Sequence, residues 1–367
     1  MKQGWEYKKL NEVCEKGSSN IVISKLTDND GDYPLYGASG LVKHIDFYHQ
    51  DKPYIGIVKD GAGVGRVNIY PAYSSLVGTM QYIFPKKDCL LNFIKYFLVK
   101  LDLSHCVSGA TIPHIYFKDY GKDLIPVPSL KIQEKIVSEL DKINELIRLK
   151  KEQLKDYDNL AQSIFYEMFG DPVENEKGWE VKKIGEIGSV ERGAGISKKD
   201  FVEDGLPCIH YGQLHTILGA RTKKHYTSIP HDLLPKYKVA HTGDLVMAIT
   251  SEDVEGSCKS TAWLGNYDVI VGSDAAILHH EQDGTFLSYY TMTKAFYNEK
   301  AKYAKGFKVT HISTKEIEKI SVFLPPLPLQ HLFAQRIEQI ERQKSAVQKS
   351  ITDLETLLAS RMQYWFE

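Results

Sequence analysis

The chain has 367 residues, enough for two or three domains at about 150 residues each. With 43% apolar and 25% charged residues it reads as globular, which excludes wholesale disorder, and no apolar run nears the roughly 18 residues that would span a bilayer. Its 46 basic and 47 acidic residues leave a net charge of −1, so charge alone does not mark a nucleic-acid binder. Five cysteines (Cys14, Cys89, Cys106, Cys208, Cys258) are scattered and never form a CxxC pair. That pattern excludes a disulfide framework or a zinc ribbon and fits a reducing, cytoplasmic setting. The opening residues Met1 to Glu6 carry no apolar signal core, so export is not expected.

In chain order, the front at 1–128 has short apolar runs broken by Gly, Pro, Asn and Asp, such as 54–58 and 80–84, which read as strands and turns. Residues 91–101 are its clear helical stretch. Pro126 and Pro128 close it, and a long helical segment is expected over 129–170, then a linker at 171–177. The second front, 178–325, behaves alike, with strands expected at 244–249 and 269–271 and a helix at about 285–300. Pro325, Pro326 and Pro328 lead into a second long helical segment, 326–367.

These halves repeat one another. Gly4-Trp5-Glu6-Tyr7-Lys8-Lys9-Leu10-Asn11-Glu12-Val13 recurs at 178–187, 174 residues later, with six of ten positions identical. Pro128, Leu130, Ile132, Gln133 and Ile136 recur as Pro325, Leu327, Leu329, Gln330 and Phe333, now 197 residues later, and His114-Ile115 recurs as His311-Ile312. The second copy therefore holds 23 extra residues between its matching ends, which suggests one scaffold carrying two different sites.

Both long segments carry apolar residues spaced alternately four and three. The first seam runs through Ile136, Leu140, Ile143, Ile147, Lys150 and Leu154 to Met168; the second runs through Phe333, Ile337, Ile340, Lys344, Val347, Ile351 and Leu354 to Trp365. Such a repeat is the signature of a coiled coil, and a central lysine restricts the register at some cost in stability. The two helices are expected to pair with each other, holding the fronts at opposite ends if antiparallel; the alternative is that each packs separately on its own front. The fold class is thus α+β: two β-rich domains joined by two long coiled-coil helices, with an internal duplication.

The repeated Gly-Trp-Glu-x-x-Lys, the Gly-x-x-x-x-His-Ile near each front's end, the Pro-x-Leu-x-x-Gln at each helix start, and Phe165-Tyr166-Glu167-Met168-Phe169-Gly170 occur in an order that resembles the specificity subunits of type I restriction–modification enzymes. The resemblance covers essentially the whole chain. It implies two target-recognition domains that each read one half of a split double-stranded DNA sequence, and long helices that pack antiparallel as a spacer and dock methyltransferase subunits, which a restriction subunit joins. It also implies that S-adenosylmethionine, ATP and Mg belong to those partner subunits, and that this chain carries no cofactor.

The residues themselves offer no catalytic constellation. Gly61-Ala62-Gly63-Val64-Gly65 lacks the helix and acidic partner of a dinucleotide site and reads as a hairpin turn; there is no GxxxxGK[ST] loop. His279-His280-Glu281 is not HExxH, so no metal site is expected. Neither front is basic overall, with 15 basic against 13 acidic residues in 1–128 and 18 against 18 in 179–325, so a DNA-binding face must come from segregated charge. Candidates are Lys59 and Arg66 flanking the glycine turn, then Ser108, Thr111 and His114. In the second copy they are Arg221, Lys223, Lys224, Lys305, Lys308, Thr310 and His311. The segments Ser108 to His114 and Lys305 to His311 stand out because they recur and offer groups suited to phosphates and base edges. Their histidines have an alternative role, bracing the junction with the helix. A two-headed scaffold that grips protein partners is the alternative function.

Overall fold

The computed structural model describes residues 4–109, 111–196, 198–231, 237–306 and 309–367. The chain forms two compact units, Met1–Gln153 with Val347–Glu367, and Leu154–Ala346. It is an α+β protein in which each unit combines a β-rich domain with part of each of two 40-residue helices, Leu130–Phe169 and Leu327–Phe366. No helix among the described residues is long and apolar enough to cross a membrane.

In the first unit a four-stranded antiparallel sheet has the order Cys14–Ser18, Met80–Pro85, Tyr54–Val58, Val67–Tyr70. Its central strand Tyr54–Val58 is buried throughout, which is why its sequence is continuously apolar rather than alternating. A smaller sheet orders Gly40–Ile45, Tyr33–Gly37 and Ser75–Leu76, and Glu6–Lys9 pairs with Leu124–Val127. The helix Leu91–Leu101 lays Phe93, Ile94 and Phe97 into the core with Ile55, Ile57 and Ile83. Ile136, Leu140, Met362 and Phe366 of the long helices complete that core.

The second unit repeats the plan. Its large sheet begins Gly188–Arg192, Ala275–His280, Leu245–Ala248, Ser260–Trp263, in the same spatial order as the first, and adds Arg221–Thr222 at the edge. Glu180–Lys183 pairs with Ser321–Leu324 as Glu6–Lys9 does with Leu124–Val127. The expected helix at 285–300 is two helices, Gly284–Tyr290 and Lys294–Ala301. Thr293 separates them, because its hydroxyl donates to the Tyr290 carbonyl (2.7 Å) and accepts from the Phe296 N–H (3.3 Å), an N-cap that restarts the helix.

The repeated motifs each have a structural task. The backbone N–H groups of Lys9 and Lys183 donate to Glu12 and Glu186, closing the same short turn in both copies. Gln133 and Gln330 are fully buried at the helix starts. Gln133 accepts from the Leu90 N–H (2.9 Å) and donates to the carbonyls of Asp88 (2.8 Å) and Pro128 (2.9 Å). Gln330 accepts from the Asp283 N–H (3.0 Å) and donates to Gln282 (2.9 Å) and the Pro325 carbonyl (2.8 Å). Trp179 donates its indole N–H to the Phe169 carbonyl at the end of the first long helix (2.8 Å), while Trp5 stacks on Trp365 near the end of the second.

Within each unit the two long helices run antiparallel. In the first, Glu139 bonds Arg361 and Lys151 bonds Glu355 (2.8 Å); in the second, Asp158 bonds Lys344 (2.7 Å) and Glu167 faces Arg336 (3.8 Å). Ile136, Leu140, Ile143, Ile147, Ile337, Ile340, Val347 and Ile351 are buried; Leu154 and Leu354 are half-buried. The central lysines are half-buried too, with Lys150 bonded to Gln153 (3.1 Å) and Lys344 also to Glu341 (3.0 Å).

Candidate nucleic-acid interface

Each front builds the same pair of loops. In the first copy the strands Tyr54–Val58 and Val67–Tyr70 are joined by the glycine run, a hairpin loop in which Gly61, Gly63 and Gly65 all have φ near +84°. The Val58 N–H donates to the Arg66 carbonyl (3.0 Å) and the Gly65 N–H returns to the Val58 carbonyl (2.8 Å). In the second copy the Ala248 N–H donates to the Lys259 carbonyl (2.9 Å) and the Cys258 N–H to the Ala248 carbonyl (2.8 Å). Gly65 therefore matches Cys258, and both have positive φ, +85° and +55°. Arg66 matches Lys259, a basic residue that sequence reasoning missed. The hairpin spans nine residues in the first copy (58–66) and twelve in the second (248–259).

The second loop of each pair is the recurrent segment. Ser108 and His114 exchange backbone hydrogen bonds (2.9 and 2.8 Å), and so do Lys305 and His311 (3.2 and 2.8 Å). Each loop turns on a glycine with positive φ, Gly109 and Gly306; a Cβ there would lie 2.3 Å from the Ile112 carbonyl oxygen or 2.0 Å from that of Val309. Each loop also zips onto its hairpin. The Ile115 N–H donates to the Lys59 carbonyl (2.9 Å) and the Gly61 N–H to that of Pro113 (2.9 Å); the Ile312 N–H donates to the Ile249 carbonyl (3.1 Å) while Thr250 pairs with His311.

These bonds bring Lys59, Arg66, Ser108, Thr111 and His114 into one loop pair. Arg66, Ser108 and Thr111 are exposed, and Lys59 and His114 half-buried. The Arg66 guanidinium donates to the Ala38 carbonyl (2.8 Å), Lys59 sits 3.7 Å from Asp60, and the His114 ring meets Tyr116 edge-on. In the second copy Lys305 and His311 share the equivalent place. His311 turns Nδ1 to the Thr250 hydroxyl (3.3 Å), and Lys305 pairs with Glu316. That ammonium, with the Ser313 N–H and hydroxyl, holds the Glu316 carboxyl down to about 2.

Of the five remaining candidates, four are among the described residues. The Thr310 side chain is buried, so its hydroxyl is not presented to solvent. Arg221 is buried against the second long helix, where it and Lys223 (3.0 Å) pair with Glu338; their charge is spent bracing the sheet edge on that helix. Lys224 is exposed beside them, and Lys308 lies outside the described residues. The sequence spacing also passed over a trio, His105, Cys106 and Asp123, whose donor atoms fall within 4.8 Å of one another. His105 hydrogen-bonds the Asp102 carbonyl (2.9 Å) and Asp123 (3.1 Å), and both contacts raise its pKa, the first more than the second.

The model of the type I restriction modification DNA specificity domain matches residues 2–156 and 176–356, nearly the whole chain and once per copy. The chain belongs to that family. Among its relatives, the type I restriction enzyme MjaVIII specificity subunit of Methanocaldococcus jannaschii is 24% identical over 333 residues, covering 82% of this chain and 76% of that one. The EcoDI specificity subunit of Escherichia coli is 21% identical, covering 95% and 84%. The fold matches the crystal structure of the S subunit from M. genitalium with a TM-score of 0.57 at 14% identity, over 99% of this chain and 96% of that one. A second structure, from work on complex assembly and conformational transition of the type I system, gives the same TM-score at 18% identity, over 100% and 98%. Specificity-domain membership agrees with what the described residues of the two loop pairs offer: backbone, hydroxyl, imidazole and cationic groups.

Proposed function

We propose that this chain is the non-catalytic specificity subunit of a type I restriction–modification complex, reading a bipartite double-stranded DNA target, one half with 1–128 and the other with 178–325. The observation that carries this reading is the duplicated loop pair, built on one backbone plan but with unequal hairpins. A shared plan suits phosphate contacts, which position, while unequal hairpins suit different base edges, which specify. The readers' contacts on the first copy are Lys59, Arg66, Ser108, Thr111 and His114; on the second they are Lys259, Lys305 and His311, with Lys224 and Lys308 as further cations. Joining both readers in one chain makes the second contact intramolecular and raises its effective concentration.

In this reading the long helices hold the methyltransferase subunits, the restriction subunit joins that complex, and S-adenosylmethionine, ATP and Mg act on those partners in the cytoplasm. Sequencing of methylated bases in the host genome, with this gene intact and deleted, tests the proposal. A split adenine-methylated motif that disappears on deletion is the expected result. An unchanged methylome, with the partner subunits present, overturns it.

A further inference from the structure

Lys300 is a buried ammonium that the account above does not use. It lies in the helix Lys294–Ala301 and is 4% exposed. Its Nζ donates to the carbonyl oxygens of Glu255 (2.8 Å) and Ser257 (2.6 Å), both in the twelve-residue hairpin, and lies 5.6 Å from the Tyr297 ring centre. Among the described residues it forms no ion pair. A charge in that position costs desolvation free energy that an aliphatic side chain of similar volume would not, so its use is as a donor to those two carbonyls. Burial accordingly pushes its pKa down, with Cys258, Glu255 and Asp253 opposing.

The first copy answers the same need differently. Leu103 stands 197 residues before Lys300, is buried, and lies 3.5 Å from where a Cβ on Gly65 would be. Gly65 matches Cys258, so the same shelf under each hairpin carries a leucine where the loop is short and a lysine where it is three residues longer. In the nine-residue hairpin the Gly61 and Gly63 carbonyls accept from the loop's own Val64 and Arg66 N–H groups (3.1 Å each); the longer one turns two carbonyls onto Lys300. The loop above Lys300 is otherwise held by its own bonds, the Gly256 N–H to Asp253 (2.7 Å) and the Ser257 hydroxyl to the Val254 carbonyl (2.7 Å). Its exposed residues include Glu252 and Glu255, carboxylates suited to accept from the amino groups of cytosine or adenine.

We propose that Lys300 is a positioning residue: it fixes the loop from Ser251 to Ser257, and through that loop the base preference of the half-site read by the second copy. This rests on the functional reading above. The test carries Lys300→Met in the full-length chain with its partner genes, reads the methylated motif in the host genome, and follows amide hydrogen exchange in the purified chain. The expected result is a motif blurred at least tenfold in one half and intact in the other, with amides 252–258 exchanging at least tenfold faster and amides 60–66 unchanged. The first copy thus serves as an internal control for general destabilisation. If the unmodified chain gives no split motif, the functional reading falls. If it does, and Lys300→Met blurs both halves equally or neither, or leaves exchange at 252–258 unaltered, the positioning role falls.

Discussion

The two loop pairs share a frame and differ in what stands under it. The seven-residue loops share their closing pair of backbone hydrogen bonds and the glycine at 109 and 306. The hairpins beside them differ in length, in the residue at the positive-φ corner, and in the buried side chain beneath, Leu103 or Lys300. The lesson is that a loop can be lengthened by three residues if the supporting shelf changes chemistry with it. A longer loop brings unpaired carbonyls, which an apolar shelf cannot satisfy.

The largest expected effect that sharpens this comparison comes from the ends of the long helices. Phe169 and Phe366 are equivalent, but Phe169 is fully enclosed by Phe165, Phe286 and Phe333, while Phe366 meets Phe93 and Phe97 and keeps some exposure. Phe169→Ala should cost about 4 kcal/mol and Phe366→Ala nearer 3, each in its own unit, by urea unfolding followed through amide exchange. Equal losses in both units from either variant would break the picture of two separate cores.

Next come the turn glycines. Gly109→Ala and Gly306→Ala each force a Cβ onto a carbonyl oxygen in a left-handed turn, for about 2 kcal/mol of local strain. Each should weaken one half-site and spare the other, which selection from a randomised duplex library would show. Loss of both halves from one variant contradicts independent readers.

The helix lysines should separate by a smaller margin. Among the described residues Lys150 bonds Gln153 alone, whereas Lys344 serves Asp158 and Glu341. Lys150→Leu should therefore add up to about 1 kcal/mol of stability, read as a higher melting temperature, and Lys344→Leu less. A fall with Lys150→Leu would show that the seam needs its polar break.

The smallest effect is acid-dependent and confined to the second copy. With its carboxyl at about 2 in the fold against about 4.3 when unfolded, Glu316 contributes stability that is present above pH 4.3 and lost as pH falls through 2. Exposure of Lys305 keeps this below about 1 kcal/mol. The matching positions in the first copy, Asp119 and Ser108, offer no such ion pair. The melting difference between the unmodified chain and Glu316→Gln should shrink between pH 5 and pH 2; a constant difference would remove the pair from the account.

The duplication, the long helices and most strands were legible in the sequence because they rest on spacing: proline punctuation, heptads, and apolar runs such as 54–58. The break at Thr291 to Thr293 was not, since a threonine that caps a helix looks, in sequence, like one inside it. The recurrent loops were legible because Gly109 and Gly306 keep their distance to His114 and His311. Lys300 was not, because a lysine in a helix looks, in sequence, like one on a solvated face, and Lys259 was not, because the 23 extra residues do not enter at one point. Strand pairing places most of them between Leu206–Ile209 and Leu245–Ala248 and three in the hairpin, so no single offset aligns Arg66 with Lys259. Arg221 and Lys223 misled for the opposite reason: a run of cations says nothing of the carboxylate, Glu338, that folds against it from 115 residues away.

The buried glutamine at 133 has one further consequence. It grips its front through main-chain atoms alone, the Asp88 and Pro128 carbonyls and the Leu90 amide, and reads no side chain there. Such a socket accepts any plug with the right backbone outline. A front exchanged just before Pro128 would therefore keep this backbone grip, while the bonds of Tyr96 and Asn92 to Asp141 and the packing of Ile136 and Leu140 would still have to be matched side chain by side chain.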